Sequence, residues 1–404
     1  MSKKKTIVIS VVITFLCTVF LMSVINVLSD LGLTYILGLN QQTRYSADAV
    51  EKAAAIVKTF YYEDVDEEVL YEGALDGMIS ALGDQYSWFV NEEAFQELKE
   101  ETQGEYTGIG VTVSIDAADG LLTVIAPIED TPAFKAGITP GDKIIAIDGV
   151  QISASNYREA ITMLRGNADA AGETAVLTLK RADTGVMEDI SIVREKIHLI
   201  TAKSKMLPDN IGYIRITSFG ENTYNEFKEN FDALGGENLN GLVIDLRNNG
   251  GGTLTSTLDV ADTFLDEGLI TYFQYKNGDK KEYTSDADIV DIPISVIVNG
   301  QSASASEVLA AALRDRGRAT LVGEKTYGKG VVQTILPFIK TNKGQTAIYI
   351  TTSKYFTPSG VCINGTGIEP DITVSLADEY LETGYDNLTM EQDSQLKAAW
   401  EILK

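Results

Sequence analysis

Small and polar residues separate an apolar strand, Ile294 to Val298, from a run with helical apolar spacing that begins at Ala305. At such a strand-to-helix junction, a side-chain hydroxyl and the first free amides of the helix point at the same place. A serine of this junction, which contains Ser302, Ser304 and Ser306, is therefore predicted to lie where a carbonyl oxygen can be stabilised as an oxyanion, although spacing alone does not choose among the three. The alternative is that Ser304 and Glu307 form a helix capping box, which needs no chemistry.

A glycine-flanked loop further along the chain offers an amine that can serve as a general base. The loop Gly323 to Gly330 contains Lys325 and Lys329, and Gln333 follows it. A lysine acts as a base only when it is neutral, which requires burial to lower its pKa, and the amide of Gln333 can orient the amine without adding charge. Serine, lysine and an amide suffice for acyl transfer, but spacing alone does not choose between the two lysines.

These motifs resemble those of the carboxy-terminal processing proteases, which are membrane-tethered serine endopeptidases with a PDZ domain, and the resemblance covers nearly the whole chain. The segment Ser302 to Glu307 is similar to the family's nucleophile motif, and Gly323 to Gln333 is similar to its lysine and glutamine motif. The resemblance implies a catalytic set of Ser304, Lys329 and Gln333 and no cofactor or metal. The neighbours that it leaves as bystanders are Ser302, Ser306 and Lys325.

The glycine-rich segment Leu246 to Gly252 leaves a predicted buried strand and enters a helix. Its spacing matches neither a P-loop nor a dinucleotide-binding fingerprint. The resemblance implies instead that Gly250 donates an oxyanion-hole amide opposite the amide of Ala305. Glycine suits this role because a side chain would obstruct the substrate carbonyl.

The region from Gly104 to about Glu195 changes to short β-like runs with two helical interruptions. Within it, Gly108, Ile109, Gly110 and Val111 resemble a PDZ carboxylate-binding loop, and the run from Pro132 to Gly149 strengthens the match. The resemblance implies protein or peptide substrates with free, apolar C-termini, captured by main-chain amides and an adjacent strand edge. For Gly108 and Gly110 the alternative is a plain turn.

Arg165, in the sequence Leu164, Arg165, Gly166, resembles a PDZ arginine that in some relatives contacts the protease core and couples peptide binding to activity. A solvated charge at a helix end is the alternative for the bare residue.

The fold class that follows is multidomain α/β, with an N-terminal membrane helix, a small helical region, a β-rich PDZ domain with two helices, and a crotonase-like α/β core with a β-rich part. In the resembling family the N-terminal helical region packs ahead of the PDZ domain and in some members dimerises, so a homo-oligomer is one expectation. The expected boundaries are 1–28 for the cytoplasmic tail and membrane anchor, 29–103 for the spacer and helical region, 104–195 for the PDZ domain, 196–375 for the serine protease core, and 376–404 for a C-terminal helical segment.

The N-terminus predicts a single-pass membrane protein. Lys3, Lys4 and Lys5 precede an apolar run from Thr6 to Leu28, which at about 1.5 Å per residue can cross a hydrocarbon core of about 30 Å. The positive-inside rule then places everything after the run outside the cytoplasm. A cleaved signal peptide is the competing interpretation, but its Ala-x-Ala-like site is missing before Gln41.

Charge and residue usage exclude several other functions. The 404-residue chain has 33 basic and 58 acidic residues, a net charge of −25 that opposes nucleic-acid partners. Its single histidine, His198, lies outside every motif, which excludes a Ser-His-Asp triad and gives no metal cluster. Cys17 and Cys362 are not expected to pair.

Two further interpretations belong to other functional classes. A membrane-tethered PDZ adaptor would bind C-termini without cutting, although all three catalytic side chains are present. A crotonase-like acyl-CoA enzyme would suit the strand-helix repeats and the oxyanion corner, but not a PDZ domain outside the cytoplasm. We expect a membrane-anchored serine endopeptidase.

Overall fold

The computed structural model describes residues 47–166, 170–380 and 383–404. The described residues fall into two compact units, one up to Ala81 and the other from Leu82 to Lys404. The first unit contains helices α1 (Ala47–Phe60) and α2 (Glu67–Ser80), with Asp66 accepting a hydrogen bond from the amide of Glu68 as the N-cap of α2. Helix α2 ends at Ser80, at a turn before Gly83.

The second unit begins with strand β1 (Trp88–Val90) and helix α3 (Glu92–Gln103) and then enters the PDZ region. A two-stranded ribbon of β2 (Glu105–Gly108) and β9 (Glu195–His198) brings the two ends of this region together. Between them lies an antiparallel sheet in the order β3-β4-β5-β7-β8, with β6 paired to β5. Its members are β3 (Val111–Ile115), β4 (Leu122–Pro127), β5 (Lys143–Ile147), β6 (Val150–Gln151), β7 (Thr174–Lys180) and β8 (Met187–Val193), with helices α4 (Pro132–Lys135) and α5 (Tyr157–Arg165).

The core of the second unit is a mostly parallel sheet in the order β10-β11-β12-β15-β16-β19. Only the pairing of β10 with β11 is antiparallel. Its strands are β10 (Ala202–Leu207), β11 (Ile211–Ile216), β12 (Gly241–Asp245), β15 (Ile294–Val298), β16 (Ala319–Gly323) and β19 (Ile372–Thr373). Every residue of β12 and β15 is buried, as expected for parallel strands covered on both faces.

Helices cover both faces of this sheet. On one face lie α6 (Thr223–Leu234), α7 (Leu254–Asp262) and α8 (Ala305–Asp315), whose apolar residues join the sheet in one buried cluster. Phe227, Phe231 and Phe264 pack there edge-to-face and stacked. On the other face Leu396 and Ala399 of α9 (Ser394–Glu401) pack against buried side chains of the sheet. This helix lies within the predicted C-terminal helical segment, 376–404.

A second, antiparallel sheet flanks the core. Its long strand, β18 (Gln345–Phe356), pairs with β17 (Val331–Lys340), with β1 and with β13 (Gly268–Tyr275), and β13 pairs with β14 (Lys280–Ser285). This sheet corresponds to the β-rich part that the predicted fold class included in the core. Within the described ranges no helix is both long and apolar enough to span a bilayer. The predicted anchor, Thr6 to Leu28, lies outside the described residues.

Candidate active site

Loops that follow neighbouring parallel strands meet at one edge of the core sheet. β12, β15 and β16 are adjacent and parallel. The carboxyl end of β12 runs into the glycine corner, Leu246 to Gly252. That of β15 runs into the serine loop, Asn299 to Ser306, and that of β16 runs into the lysine loop, Gly323 to Gly330. In open α/β sheets this edge is where ligands bind, so the topology itself brings the three predicted motifs together.

Ser304 occupies a strained position at the start of α8. Its backbone has φ 55° and ψ −116°, outside the regions that a residue with a side chain normally adopts, at a cost of order 1–3 kcal/mol. The strain sets the half-buried Ser304 at a sharp turn between strand and helix. The neighbouring Ser302 and Ser306 are completely buried. Their hydroxyls donate to the carbonyl oxygens of Leu246 and Asn249 at 2.8 and 2.9 Å, so they fasten the serine loop to the glycine corner.

The glycine corner packs directly on the serine loop. A Cβ on Gly251, which has φ +105°, would lie 2.8 Å from the Cβ of Ser304 and 3.0 Å from the amide nitrogen of Ala305. The amide of Gly251 is taken, since it donates to the side chain of Asn249 at 2.9 Å. Among the residues that the structure describes, the amides of Gly250 and Ala305 donate to no partner, which leaves both available to an oxyanion.

Glu307 is a completely buried carboxylate that joins the serine loop to the lysine loop. One of its oxygens accepts from the amides of Ser304 and Lys329, both at 2.9 Å. The other accepts from the hydroxyl of Thr326 at 2.5 Å and from the amide of Gly328 at 2.8 Å. Burial raises the pKa of Glu307, and these hydrogen bonds oppose that rise. The predicted capping contact to Ser304 is thus present, but it is one of four.

Tyr355 of β18 holds the same turn from the other side. Its hydroxyl donates to the carbonyl oxygen of Ser304 at 3.1 Å and lies 3.5 Å from the carboxylate of Glu307. Burial raises the pKa of Tyr355 well above its usual value, so the hydroxyl stays protonated and acts as a donor. No sequence motif indicated this residue.

Lys329 is half-buried, and burial lowers the pKa of its amine, with the charge of Asp84 opposing that effect. Its ammonium nitrogen lies 5.0 Å from the centre of the Tyr86 ring. Within the described residues no hydrogen bond joins the side chains of Lys329 and Ser304. Lys325, by contrast, is exposed and forms an ion pair with Glu369 at 2.8 Å.

Gln333 lies on β17 beside the lysine loop, but its amide does not contact Lys329. The amide nitrogen donates to the hydroxyl of Thr351 on β18 at 3.1 Å. The amide of Thr351 in turn donates to Ser87, whose hydroxyl donates to the carboxylate of Asp84 at 2.5 Å. The role of Gln333 as orienter of the amine stays a prediction.

A buried arginine fastens the C-terminal segment beneath the glycine corner. Arg247, completely buried, pairs with Asp245 at 2.6 Å and with Asp393 at 2.8 Å. It also donates to Gln395 at 3.0 Å and lies 3.8 Å from the centre of the Tyr385 ring. The sequence gave no signal for this network, because its members are almost 150 residues apart along the chain.

The predicted carboxylate loop of the PDZ region is tightly packed. Gly108, Ile109 and Gly110 are buried, and a Cβ on Gly110 would lie 2.3 Å from the side chain of Thr131. Val111 begins β3, which is an edge strand of its sheet. The structure therefore places these four residues beside a strand edge, while their role in peptide binding stays a prediction.

Arg165 lies at the end of α5 and contacts neither the serine loop nor the lysine loop. Its guanidinium pairs with Glu100 of α3 at 3.3 Å and lies 5.3 Å from the centre of the Tyr106 ring. These two neighbours are therefore contacts through which Arg165 can act on the core.

Comparison with known proteins identifies the family. A profile described as peptidase family S41 matches residues 210–374, a PDZ-domain profile matches residues 107–192, and one described as the N-terminal domain of the activating protease CtpB matches residues 37–94. The carboxy-terminal processing protease CtpA of Bacillus subtilis is 35% identical over 88% of this chain and 76% of its own length. The chain belongs to the carboxy-terminal processing proteases. The Bartonella bacilliformis member is 39% identical over 82% of this chain and 75% of its own length.

Family membership confirms a serine-type peptidase with a PDZ domain and a multidomain α/β fold. A solved S41 protease from Bacteroides fragilis aligns over 90% of this chain and 98% of its own with a TM-score of 0.53. At 17% identity, that likeness shows the fold alone. The matched profile is that of a peptidase, which argues against the adaptor and the acyl-CoA interpretations.

Proposed function

We propose that this chain is a membrane-anchored endopeptidase that works outside the cytoplasm, uses Ser304 as nucleophile and Lys329 as general base, and recognises substrates by their C-termini. The observation that carries the catalytic part is the strained turn at Ser304. It sets the half-buried Ser304 directly before the amide of Ala305 and against the glycine corner at Gly251, and the amides of Gly250 and Ala305 have no partner among the described residues. The lysine whose pKa burial lowers lies on the loop that Glu307 ties to that turn.

In the proposed cycle, Ser304 attacks the carbonyl carbon of a peptide bond while the neutral amine of Lys329 takes the hydroxyl proton. The carbonyl oxygen becomes an oxyanion that accepts from the amides of Gly250 and Ala305. The Lys329 ammonium then gives its proton to the leaving amine. In the second half of the cycle Lys329 takes a proton from the water that attacks the acyl-enzyme and returns it to the Ser304 oxygen as the acid product leaves. One oxyanion donor is typically worth about 3–4 kcal/mol of barrier, so the corner matters nearly as much as the base.

The side chains of Ser304 and Lys329 must come into hydrogen-bond contact for this cycle. Catalytic hydrogen bonds are often long in enzymes without substrate and shorten when the substrate binds. The lack of a hydrogen bond between the side chains of Ser304 and Lys329 in the described residues is therefore compatible with the proposal. Gln333 is the predicted orienter of the Lys329 amine. It would hold the amine after leaving Thr351, its partner in the structure.

The catalytic assignment is tested with the full-length chain and an unstructured protein substrate. Ser304→Ala and Lys329→Ala are expected to abolish cleavage, whereas Lys325→Ala removes only an exposed ion pair and is expected to keep it. Circular dichroism and thermal unfolding establish that each variant is folded. Loss of cleavage in a folded Lys325→Ala variant, or cleavage by Ser304→Ala, would contradict the assignment.

Recognition of C-termini is supported by the PDZ match and by the edge position of β3. An extended peptide can add to that edge as a further strand, with its terminal carboxylate on the loop from Gly108 to Val111. A hydrophobic last residue would add about 1–3 kcal/mol through burial, for which Val111 and Ile161 are suitable walls because both are partly exposed.

The membrane part of the proposal is supported by the sequence of the N-terminus alone, that is, by Lys3 to Lys5 and the apolar run that follows. Protease added to intact cells is expected to digest the region after Leu28. If only permeabilised cells allow digestion, the proposed orientation is wrong.

A further inference from the structure

The ammonium of Lys329 is contacted by a segment more than 240 residues earlier in the chain. The segment Asp84 to Ser87 precedes β1, and β1 pairs with β18 in the sheet that also contains β17. That pairing brings the ring of Tyr86 over the ammonium of Lys329, with 5.0 Å between the nitrogen and the ring centre. Tyr86 is only half-buried.

A second contact fastens the same segment to the site. Ser87 accepts from the amide of Thr351 at 3.0 Å, and Thr351 accepts from the amide of Gln333 at 3.1 Å. Asp84 accepts from the hydroxyl of Ser87 and from the amide of Tyr86 at 2.5 and 3.1 Å, so its carboxylate is fixed in place. The segment therefore reaches both residues of the lysine and glutamine motif, each by a different contact.

The face of an aromatic ring attracts a cation and not a neutral amine, because the ring face carries negative electrostatic potential. The titratable groups around Lys329 are Asp84 and Tyr86 on the segment, Tyr327 on the lysine loop, and Glu307, which binds the Lys329 amide. Of these, Asp84 is the one whose charge acts on Lys329; it raises the pKa of the amine against the effect of burial.

We propose that Asp84 and Tyr86 are positioning residues of the catalytic site, which hold Lys329 as an ammonium on the Tyr86 ring and so control when it becomes the base for Ser304. In a molecule that rests in this charged form, the ammonium first loses its proton to water and with it the attraction to the ring, and the neutral amine is then free to accept the hydroxyl proton. The inference rests on the proposed dyad of Ser304 and Lys329.

The test is the pH dependence of kcat/KM for the full-length chain. In the wild type kcat/KM rises with pH as Lys329 loses its proton. Both Asp84→Asn and Tyr86→Leu remove a group that favours the charged amine, so in both variants this rise is expected at lower pH. A cation–π contact worth about 0.5–2 kcal/mol corresponds to an about 2- to 30-fold gain for Tyr86→Leu, relative to its own plateau, at a pH on the rise.

Matched variants separate this role from a structural one. Tyr86→Phe keeps the ring face and is expected to retain the wild-type profile. Tyr62→Leu and Asp183→Asn alter an exposed tyrosine and an exposed carboxylate outside the site, and they are also expected to leave the profile unchanged. The rate at which a fluorophosphonate labels Ser304, measured over the same pH range, gives a second profile that is independent of substrate binding.

The inference is wrong if kcat/KM of the folded Asp84→Asn and Tyr86→Leu variants rises at the same pH as in the wild type or at a higher pH, even if their activity is lower. If Tyr86→Leu does not fold, Asp84→Asn decides alone, since it is isosteric and keeps an acceptor for Ser87. Failure of the proposed function looks different: Ser304→Ala would still cleave, or the probe would label another residue.

Discussion

Replacing Glu307 by glutamine is the sharpest test of how the site is assembled. The carboxylate accepts four hydrogen bonds of 2.5–2.9 Å, three of them from backbone amides. Glutamine has the same shape but only one acceptor oxygen. Two of the four donors then face an NH₂ group and lose their acceptor.

The magnitude follows from these contacts. A hydrogen bond to a charged acceptor contributes about 1.5–3 kcal/mol, so losing two costs about 3–6 kcal/mol. Burial disfavours the charged carboxylate, which is also why the pKa of Glu307 is raised, and a neutral glutamine avoids that cost. We expect a net loss of about 2–4 kcal/mol in the free energy of unfolding.

Activity is expected to fall as well, because the lost contacts position the Ser304 turn and the Lys329 loop. A displacement of about 1 Å between reacting groups can cost about 100-fold in rate, so fluorophosphonate labelling of Ser304 should slow by about 10- to 100-fold. Urea unfolding with an unchanged slope measures the stability. Glu324→Gln, at a partly exposed position within the lysine loop and with no side-chain hydrogen bond in the described part of the chain, is the control. Wild-type stability and labelling in Glu307→Gln would refute the reasoning.

Three further predictions concern the corner, its support and the PDZ region. Asp393→Ala leaves the buried charge of Arg247 with one carboxylate instead of two, and we expect urea unfolding to show a loss of about 3–5 kcal/mol; a loss below about 1 kcal/mol would contradict it. Gly251→Ala should lower the urea midpoint of unfolding, because the backbone of Gly251 has φ +105° and an added Cβ would clash with Ser304. Gly250→Ala should leave the midpoint unchanged, because the space around its Cβ is open. Equal midpoints for the two variants would contradict the close packing of Gly251 on Ser304. A substrate with an amidated C-terminus should be cleaved more slowly than the same substrate with a free carboxylate. Binding of the C-terminus to the PDZ region should be coupled to the core by about 5- to 150-fold in affinity, and Arg165→Ala should reduce this coupling. Equal cleavage of the two substrates by the wild type would contradict recognition of the C-terminus.

The sequence was sufficient for the elements that local patterns determine. Short, continuous apolar runs predicted β12, β15 and β16 as buried parallel strands, and the small residues before Ala305 predicted a tight junction. Because carboxyl ends of adjacent parallel strands share an edge, the convergence of the three motifs followed from those strands. The assignment of Ser304 among three serines did not; it needed the family resemblance.

Contacts between distant segments could not be predicted in this way. Glu307 fits a capping box, and the local motif accounts for its bond to Ser304 but not for its bonds to the lysine loop. Asp393 fits the N-cap of α9, which it is, but its pairing with Arg247 depends on how α9 docks on the sheet. Each residue satisfies a local rule and a distant partner at once, and only the first is visible in a single sequence.

The order of elements also bounds how strongly the PDZ region can act on the lysine. Arg165 pairs with Glu100 on α3, and the chain before α3 is β1, preceded by the segment that contains Tyr86. A partly exposed ion pair is worth up to about 1 kcal/mol, and the contact of Arg165 with the Tyr106 ring adds about 0.5–1 kcal/mol. A ligand shifts an equilibrium only by its difference in affinity between the two states. Breaking both contacts of Arg165 therefore contributes about 2 kcal/mol at most, which corresponds to a shift of about 30-fold in the population of an active state. Stronger activation by a bound peptide would require contacts beyond those of Arg165, with the ribbon of β2 and β9 as the other connection between the PDZ region and the core.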